Sequence, residues 1–249
     1  MKVIVYGAQG TMGKVLQEHL SELAIDYVGV DPHSNTNIIH RTLDTVSGDV
    51  LIDFSHHSHT ETIITYALLK KIPLIIATTG HDESQEQQFQ TAAQKIAVFK
   101  SANLSFSINL LARILKDYTR LLEETYDIEI TEKHHKHKVD APSGTAYLLA
   151  EAIQSGSATK KTIITDRSGT NQKRAKHDIG ISALRGGTIV GEHSVSFNGD
   201  ADILEFTHKA QSKRLFTEGA IQAAHFILKK TSGFYTMDDL ITERRNNNA

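Results

Sequence analysis

The sequence predicts an α/β protein in two parts: a Rossmann-like parallel sheet flanked by helices, then an α+β part built on a mixed sheet. Three observations predict it. Short β-branched runs alternate with amphipathic stretches through the first hundred residues, the rhythm of βαβ units. A glycine-punctuated loop follows the first of those runs. After about Phe106 the rhythm changes to longer β-like runs with no helices between them, which suits a mixed or antiparallel sheet.

In order, the expected strands of the first part are Val3–Tyr6, Tyr27–Val30, Val50–Phe54, Leu74–Ala77 and Ile96–Phe99. The helical stretches between them are Met12–Leu23, Thr60–Lys70 and Glu83–Lys95, each with apolar residues recurring at helical spacing. A helix over Ile108–Glu123 opens the second part and leads into Tyr126–Thr131, which alternates as a half-buried strand does. A helix over Ala146–Gln154 follows a Pro-Ser-Gly turn, and strands follow at Ile179–Leu184, Thr188–Phe197 and Ile203–Lys209. The amphipathic stretch Leu215–Lys229 is expected to return to the first part. The polar tail Arg244–Ala249 is expected to fray. The domains are thus residues 1–105 with 215–249, and residues 106–214.

Composition narrows the function classes. A formal net charge of -2 supplies no bulk positive field for nucleic acid or an anionic membrane. No apolar run approaches the roughly 18 residues of a membrane helix. The opening Met1-Lys2-Val3-Ile4-Val5-Tyr6-Gly7 is too short an apolar run for a signal peptide and reads as a strand. With no cysteine, disulfides, thiolate catalysis and Cys-ligated metals are excluded. A cytoplasmic enzyme fits.

The loop Gly7-Ala8-Gln9-Gly10-Thr11-Met12-Gly13 joins the first strand to the first helix. Glycines let backbone N–H groups approach a pyrophosphate, and the positive end of the helix dipole faces it. The Gly-x-x-Gly-x-x-Gly spacing departs from the commoner fingerprint and also suits a plain tight turn. Asp31 sharpens the reading: it ends the second strand, near the offset of about twenty residues expected of a ribose-binding acid. Pro32 and His33 follow it, with no Arg or Lys beside it. A carboxylate there accepts from a ribose diol and repels a 2′-phosphate, so NADH is favoured over NADPH; the alternative is a turn cap before Pro32. Ala77-Thr78-Thr79-Gly80 and Ser101-Ala102-Asn103-Leu104-Ser105 follow the fourth and fifth strands, where open α/β sheets bind ligands, and suit close passage of a nicotinamide or its ribose.

Glu132-Lys133-His134-His135-Lys136-His137-Lys138 is the most informative stretch. As a strand it puts Glu132, His134, Lys136 and Lys138 on one face; as a helix it makes His134 and Lys138 neighbours. Either way an imidazole and an ammonium share a side, which supplies a cation for an anionic substrate and a proton donor for a developing carbanion. Asp140-Ala141-Pro142-Ser143-Gly144-Thr145 then opens a helix whose positive end suits a carboxylate. A metal on His135 and His137 is the competing reading. Its spacing is not that of known zinc helices and three lysines oppose a cation, so no metal is expected. His56-His57-Ser58-His59 reads as loop and cap.

Residues 132–146 resemble the signature of the dihydrodipicolinate reductase (4-hydroxy-tetrahydrodipicolinate reductase) family nearly residue for residue. Gly7–Gly13, Asp53-Phe54-Ser55, Ala77–Gly80, Ser101–Ser105, Arg185-Gly186-Gly187, Val190-Gly191-Glu192-His193 and Thr207-His208-Lys209-Ala210 extend the match over nearly the whole chain. The resemblance implies an NAD(P)H-binding domain, a mixed-sheet domain for a small dicarboxylate substrate and for tetramerisation, and a homotetramer. It makes His134 a proton donor or acceptor and Lys138 a proton donor, and gives His135, Gly144 and Thr145 the substrate's carboxylates; Ser143 joins them from the turn's own chemistry. Thr11 and Pro32 stand where NADPH-favouring members carry Arg, while Lys14 and His33 remain as phosphate contacts. A semialdehyde dehydrogenase would share the glycine loop but not the His-Lys segment. An NADH-binding redox regulator would have no need of His134 and Lys138.

Overall fold

A computed structural model of the chain describes residues 1–36, 38–169 and 171–247. Along the chain run β1 (Lys2–Tyr6), α1 (Thr11–Glu22), β2 (Asp26–Val30), β3 (Val50–Asp53), α2 (Thr60–Lys70), β4 (Leu74–Ile76), α3 (Glu83–Ala93), β5 (Ala97–Lys100) and α4 (Phe106–Leu122). There follow β6 (Asp127–His134), α5 (Gly144–Gly156), β7 (Thr162–Ile164), β8 (Asp178–Arg185), β9 (Gly191–Asn198) and β10 (Ile203–Ala210). The chain closes with α6 (Arg214–Ile227), β11 (Gly233–Tyr235) and α7 (Met237–Asn247). Two compact units result: Met1–Phe106 with Lys213–Ala249, and Ser107–Ser212.

The first unit is a parallel sheet in the order β11-β5-β4-β3-β1-β2. Its strands are continuously apolar because both faces are covered. Val3, Val5, Ile52, Ile75 and Phe99 pack with α1, α6 and α7 on one face, while Ile4, Leu51, Leu74 and Val98 pack with α2 and α3 on the other. Strand order reverses at β1, with β2 on one side and β3 on the other, so the ends of β1 and β3 flank a topological switch point.

The second unit is a mixed sheet in the order β10-β9-β6-β8-β7: β6 runs antiparallel to β9 and parallel to β8. Alternate residues of β6 point inward, Ile128 and Ile130 first and then Glu132 and His134. Ile128 and Ile130 join Val195, Phe197, Leu149 and Ile153 in the core. The inward face therefore passes from hydrocarbon to charge along a single strand.

Three expectations are corrected, and two strands are added. The segment after His134 is neither strand nor helix: β6 stops there and the chain turns, with Lys138 N–H donating to the His135 carbonyl at 3.1 Å. The tail does not fray at Arg244, because α7 runs to Asn247 and the Arg244 guanidinium lies 4.7 Å from the Phe106 ring centre. Met237, Leu240 and Ile241 anchor that helix at i, i+3, i+4 spacing, and Asn248 and Ala249 lie outside the described residues. β7 and β11 are three-residue edge strands, too short to show alternation in sequence. The strand expected from Thr188 begins at Gly191, since the backbone turns at Gly187 with φ +52°.

No described helix is long and apolar enough to cross a membrane.

Candidate active site

In the first unit the glycine loop closes tightly over the end of β3. Gly7 has φ +84°, and a Cβ there would stand 2.7 Å from the Phe54 carbonyl oxygen. A Cβ on Gly13 would stand 2.2 Å from the Gly7 carbonyl oxygen, so α1 approaches the loop only without one. Gly10 is the N-cap of α1 and caps with no side chain, which leaves the helix's positive end at Thr11 and Met12 bare of a carboxylate or hydroxyl cap. A cradle that only glycine backbone can form, at the switch point and at a helix N-terminus, fits a dinucleotide pyrophosphate.

Asp31 is buried, and its two oxygens accept from Gln9 N–H at 2.9 Å and His33 N–H at 3.0 Å. The acid thus ties the glycine loop to the turn after β2. Beside Pro32 lies a cleft of about 590 Å³ lined by Tyr6, Arg41, His59 and Tyr66 among others. Asp53, at the end of β3, is buried; desolvation raises its pKa although Ser55 donates to it from both backbone and hydroxyl. The Tyr6 phenol is pushed up to about 12, by burial and then by Asp53 and Asp31.

Ala77 and Thr78 follow β4 in the same unit; Ala77 N–H donates to Asp53 O, and Thr78 is buried with its hydroxyl. Thr79 precedes Gly80, which turns with φ +82°. After β5, Ser101 Oγ donates to Asn103 O and Ser105 N–H donates to Asn103 Oδ1. Leu104 points into the core, and Ala102 is exposed. His56 caps a single 3-10 turn by accepting from Ser58 N–H, as a loop-and-cap reading expects.

In the second unit the His-Lys segment is built around Glu132, which is 0% exposed. Its Oε2 lies 2.6 Å from His134 Nδ1, its Oε1 accepts from Ser143 N–H at 3.0 Å, and Arg185 donates to both oxygens at 2.7 and 2.6 Å. Strand register makes this cluster: Glu132 pairs with His193 across β9, and His134 with Arg185 across β8. Burial opposes ionisation of Glu132, but the Arg185 fork and His134 outweigh it and hold the carboxyl below its usual range. In the sequence Glu132 stands only as a face-mate of His134, and Arg185 and His193 only as parts of the family-like motifs; none of the three is given a site role there. A buried acid two residues before His134, and an Arg at the end of β8, were the available signals.

His193 Nε2 lies 3.0 Å from Ser143 Oγ, and its ring centre lies 5.1 Å from that of His134. Burial first, then the neighbouring His134, holds the His193 pKa down at about 4. Lys138, on the turn, pairs with Asp140 at 2.7 Å, and that bond holds the Asp140 carboxyl low. Arg185, which holds Glu132, also donates to the Asp140 carbonyl at 2.6 Å and so ties the turn bearing Lys138 to the Glu132–His134 pair. Ser143 is the N-cap of α5, accepting from Ala146 N–H, and the helix begins at Gly144 and Thr145. Nothing stands within 4 Å of a Cβ built on Gly144, so there is free space beside the first residue of the helix. His135 Nδ1 is shielded and has no partner among the described residues. Among the described residues no group of three or more His, Asp or Glu is arranged to hold a metal.

A switch-point glycine cradle in one unit and a buried Glu-His-Arg cluster beside a helix N-terminus in the other define a dinucleotide-dependent oxidoreductase of two units. Profiles described as dihydrodipicolinate reductase, N-terminus and C-terminus, match residues 1–104 and 107–241. Relatives named 4-hydroxy-tetrahydrodipicolinate reductase include one from Clostridium novyi, 39% identical over 98% of this chain and 99% of its own. Another, from Clostridium tetani, is 40% identical over 97% of each. A dipicolinate-bound dihydrodipicolinate reductase from Paenisporosarcina sp. TG-14 has the same fold, with a TM-score of 0.79 at 19% identity, over 96% of this chain and 98% of that one. The chain belongs to the dihydrodipicolinate reductase family.

Proposed function

We propose that this chain reduces 4-hydroxy-tetrahydrodipicolinate to tetrahydrodipicolinate with NADH or NADPH, in diaminopimelate and lysine biosynthesis. The observation that carries the reading is the Glu132–His134 pair beside the Ser143-capped N-terminus of α5, in a chain of this family. The bound dinucleotide supplies the hydride, and residues 7–13 with Asp31 hold it. Ala77, Thr78, Thr79 and Ser101–Leu104 line its nicotinamide end.

The chain's own residues handle charge and protons. His135 and the α5 end at Ser143, Gly144 and Thr145 bind the carboxylates of a dicarboxylate ring, by the attraction of a helix N-terminus for anions. The 4-hydroxyl leaves as water to give the conjugated ring; hydride addition to that ring leaves electron density at its far end, and one proton from the His134–Lys138 pair, delivered through His134, quenches it. NADH is the preferred donor, since a carboxylate at the end of β2 repels a 2′-phosphate and Pro32, not a cation, follows Asp31. The enzyme works as a cytoplasmic homotetramer and needs no metal. The test is oxidation of NADH and of NADPH by the purified chain with freshly generated substrate. Turnover with both, faster with NADH at low concentration, is expected; no turnover with either overturns the reading.

A further inference from the structure

Glu132 has no part in the reaction as proposed, yet four donors converge on its buried carboxylate: His134 Nδ1, the Ser143 N–H and both terminal nitrogens of Arg185. An ionised carboxylate only accepts, so the ring nitrogen facing it carries a hydrogen. That leaves Nε2 as the atom of His134 through which protons pass. Across β9 the space next to Nε2 is kept by Gly191, where a Cβ would stand 3.0 Å from it. The Arg185 fork keeps Glu132 ionised and therefore unable to take the proton itself. Arg185 also donates to the Asp140 carbonyl at 2.6 Å, which ties the cluster to the turn bearing Lys138.

We infer that Glu132 is a positioning residue: clamped by Arg185, it fixes the tautomer of His134, assigns proton delivery to Nε2, and anchors the start of α5 through Ser143 N–H. The inference rests on the proposed role of His134 as proton donor. With both ring nitrogens protonated, the Nε2–H bond breaks and its proton joins the carbanion's electron pair in a new C–H bond. The ring is left neutral with its hydrogen on Nδ1, already bonded to Glu132. The opposite tautomer would turn a bare nitrogen toward a carboxylate. The same arrangement of a buried carboxylate behind a histidine orients the imidazole of serine-protease triads, where amidation of the acid leaves the geometry intact and drops turnover by about 10⁴.

The test is the imidazole ¹⁵N spectrum of the histidine-labelled full chain, recorded at alkaline pH with the imidazoles neutral. Its signals are assigned by their loss in His134→Asn. Hydrogen on Nδ1 in the wild type is expected; hydrogen on Nε2 with a bare Nδ1 overturns the inference, and this arm needs no variant of Glu132. In Glu132→Gln the Nε2–H tautomer should gain population and kcat should fall on the order of 10²- to 10⁴-fold, with a smaller change in substrate KM. An unchanged tautomer with unchanged turnover in a folded Glu132→Gln also overturns it. An inactive wild type with the Nδ1–H tautomer sinks the proposed reaction and keeps the tautomer assignment. An active wild type with the Nε2–H tautomer does the reverse.

Discussion

Ser143 Oγ and His193 Nε2 lie 3.0 Å apart in the buried layer between β9 and the start of α5. Ser143 Oγ already accepts from Ala146 N–H as the cap of α5, so its own hydrogen is free to donate to a neutral His193. Protonating His193 would remove that acceptor and place a charge beside His134. His19, His81 and His208 are likewise held below the ordinary imidazole value, each by burial first.

A stability prediction follows from their shared direction. A folded pKa below the unfolded 6.5 means that the native state binds fewer protons between the two values. The stability these histidines contribute is complete above 6.5 and is lost as pH falls toward about 4, the value for His193. Glu123, held down to about 2, adds a further loss only below its unfolded 4.5. Denaturant unfolding should give lower stability at about pH 5 than at about pH 7.5, with a shallower slope in His193→Gln. Stability rising over that interval would refute the account of the buried histidines.

Catalytic roles separate in the kinetics. His134→Ala and Lys138→Ala should each lower kcat by about 10²- to 10⁴-fold with dinucleotide affinity nearly unchanged. His135→Ala should chiefly raise substrate KM, because a carboxylate contact is present in ground and transition states alike. Asp140→Asn should cost little, since its carboxylate is 58% exposed and such surface pairs contribute about 0–1 kcal/mol. Near-normal turnover in folded His134→Ala and Lys138→Ala would remove both from the mechanism.

Asp31→Ala should weaken NADH by about 10- to 100-fold and NADPH less, because only NADH loses a hydrogen bond to the carboxylate without relief from phosphate repulsion. The acid also holds Gln9 N–H and His33 N–H, so some loss for both cofactors comes from a looser loop. Equal losses measured by titration calorimetry would make that holding role its whole function.

Where the fold was legible in the sequence, the signal was periodic. Val3–Tyr6 and Val50–Asp53 read as buried strands because both faces are covered, and α6 reads as a helix from its apolar stripe. The glycine loop was legible because Gly7 and Gly13 occupy positions a Cβ would fill. The 135–138 turn was not, because a run of His and Lys has neither apolar period nor glycine to mark it. Glu132, Arg185 and His193 come together only through cross-strand register, which joins residues about fifty apart and leaves no trace in local spacing.

Activity should survive exhaustive chelation. Three lysines surround His135 and His137, and the described residues offer no metal-binding group. Loss of activity restored by added zinc would revive a metal at those histidines.

Hydride transfer itself is tested most directly with NADH deuterated at the transferring carbon and mass analysis of the reduced ring. One deuterium bound to carbon in the product for each dinucleotide oxidised is the predicted result. Oxidation of the dinucleotide with no label in the product would contradict the proposed reaction.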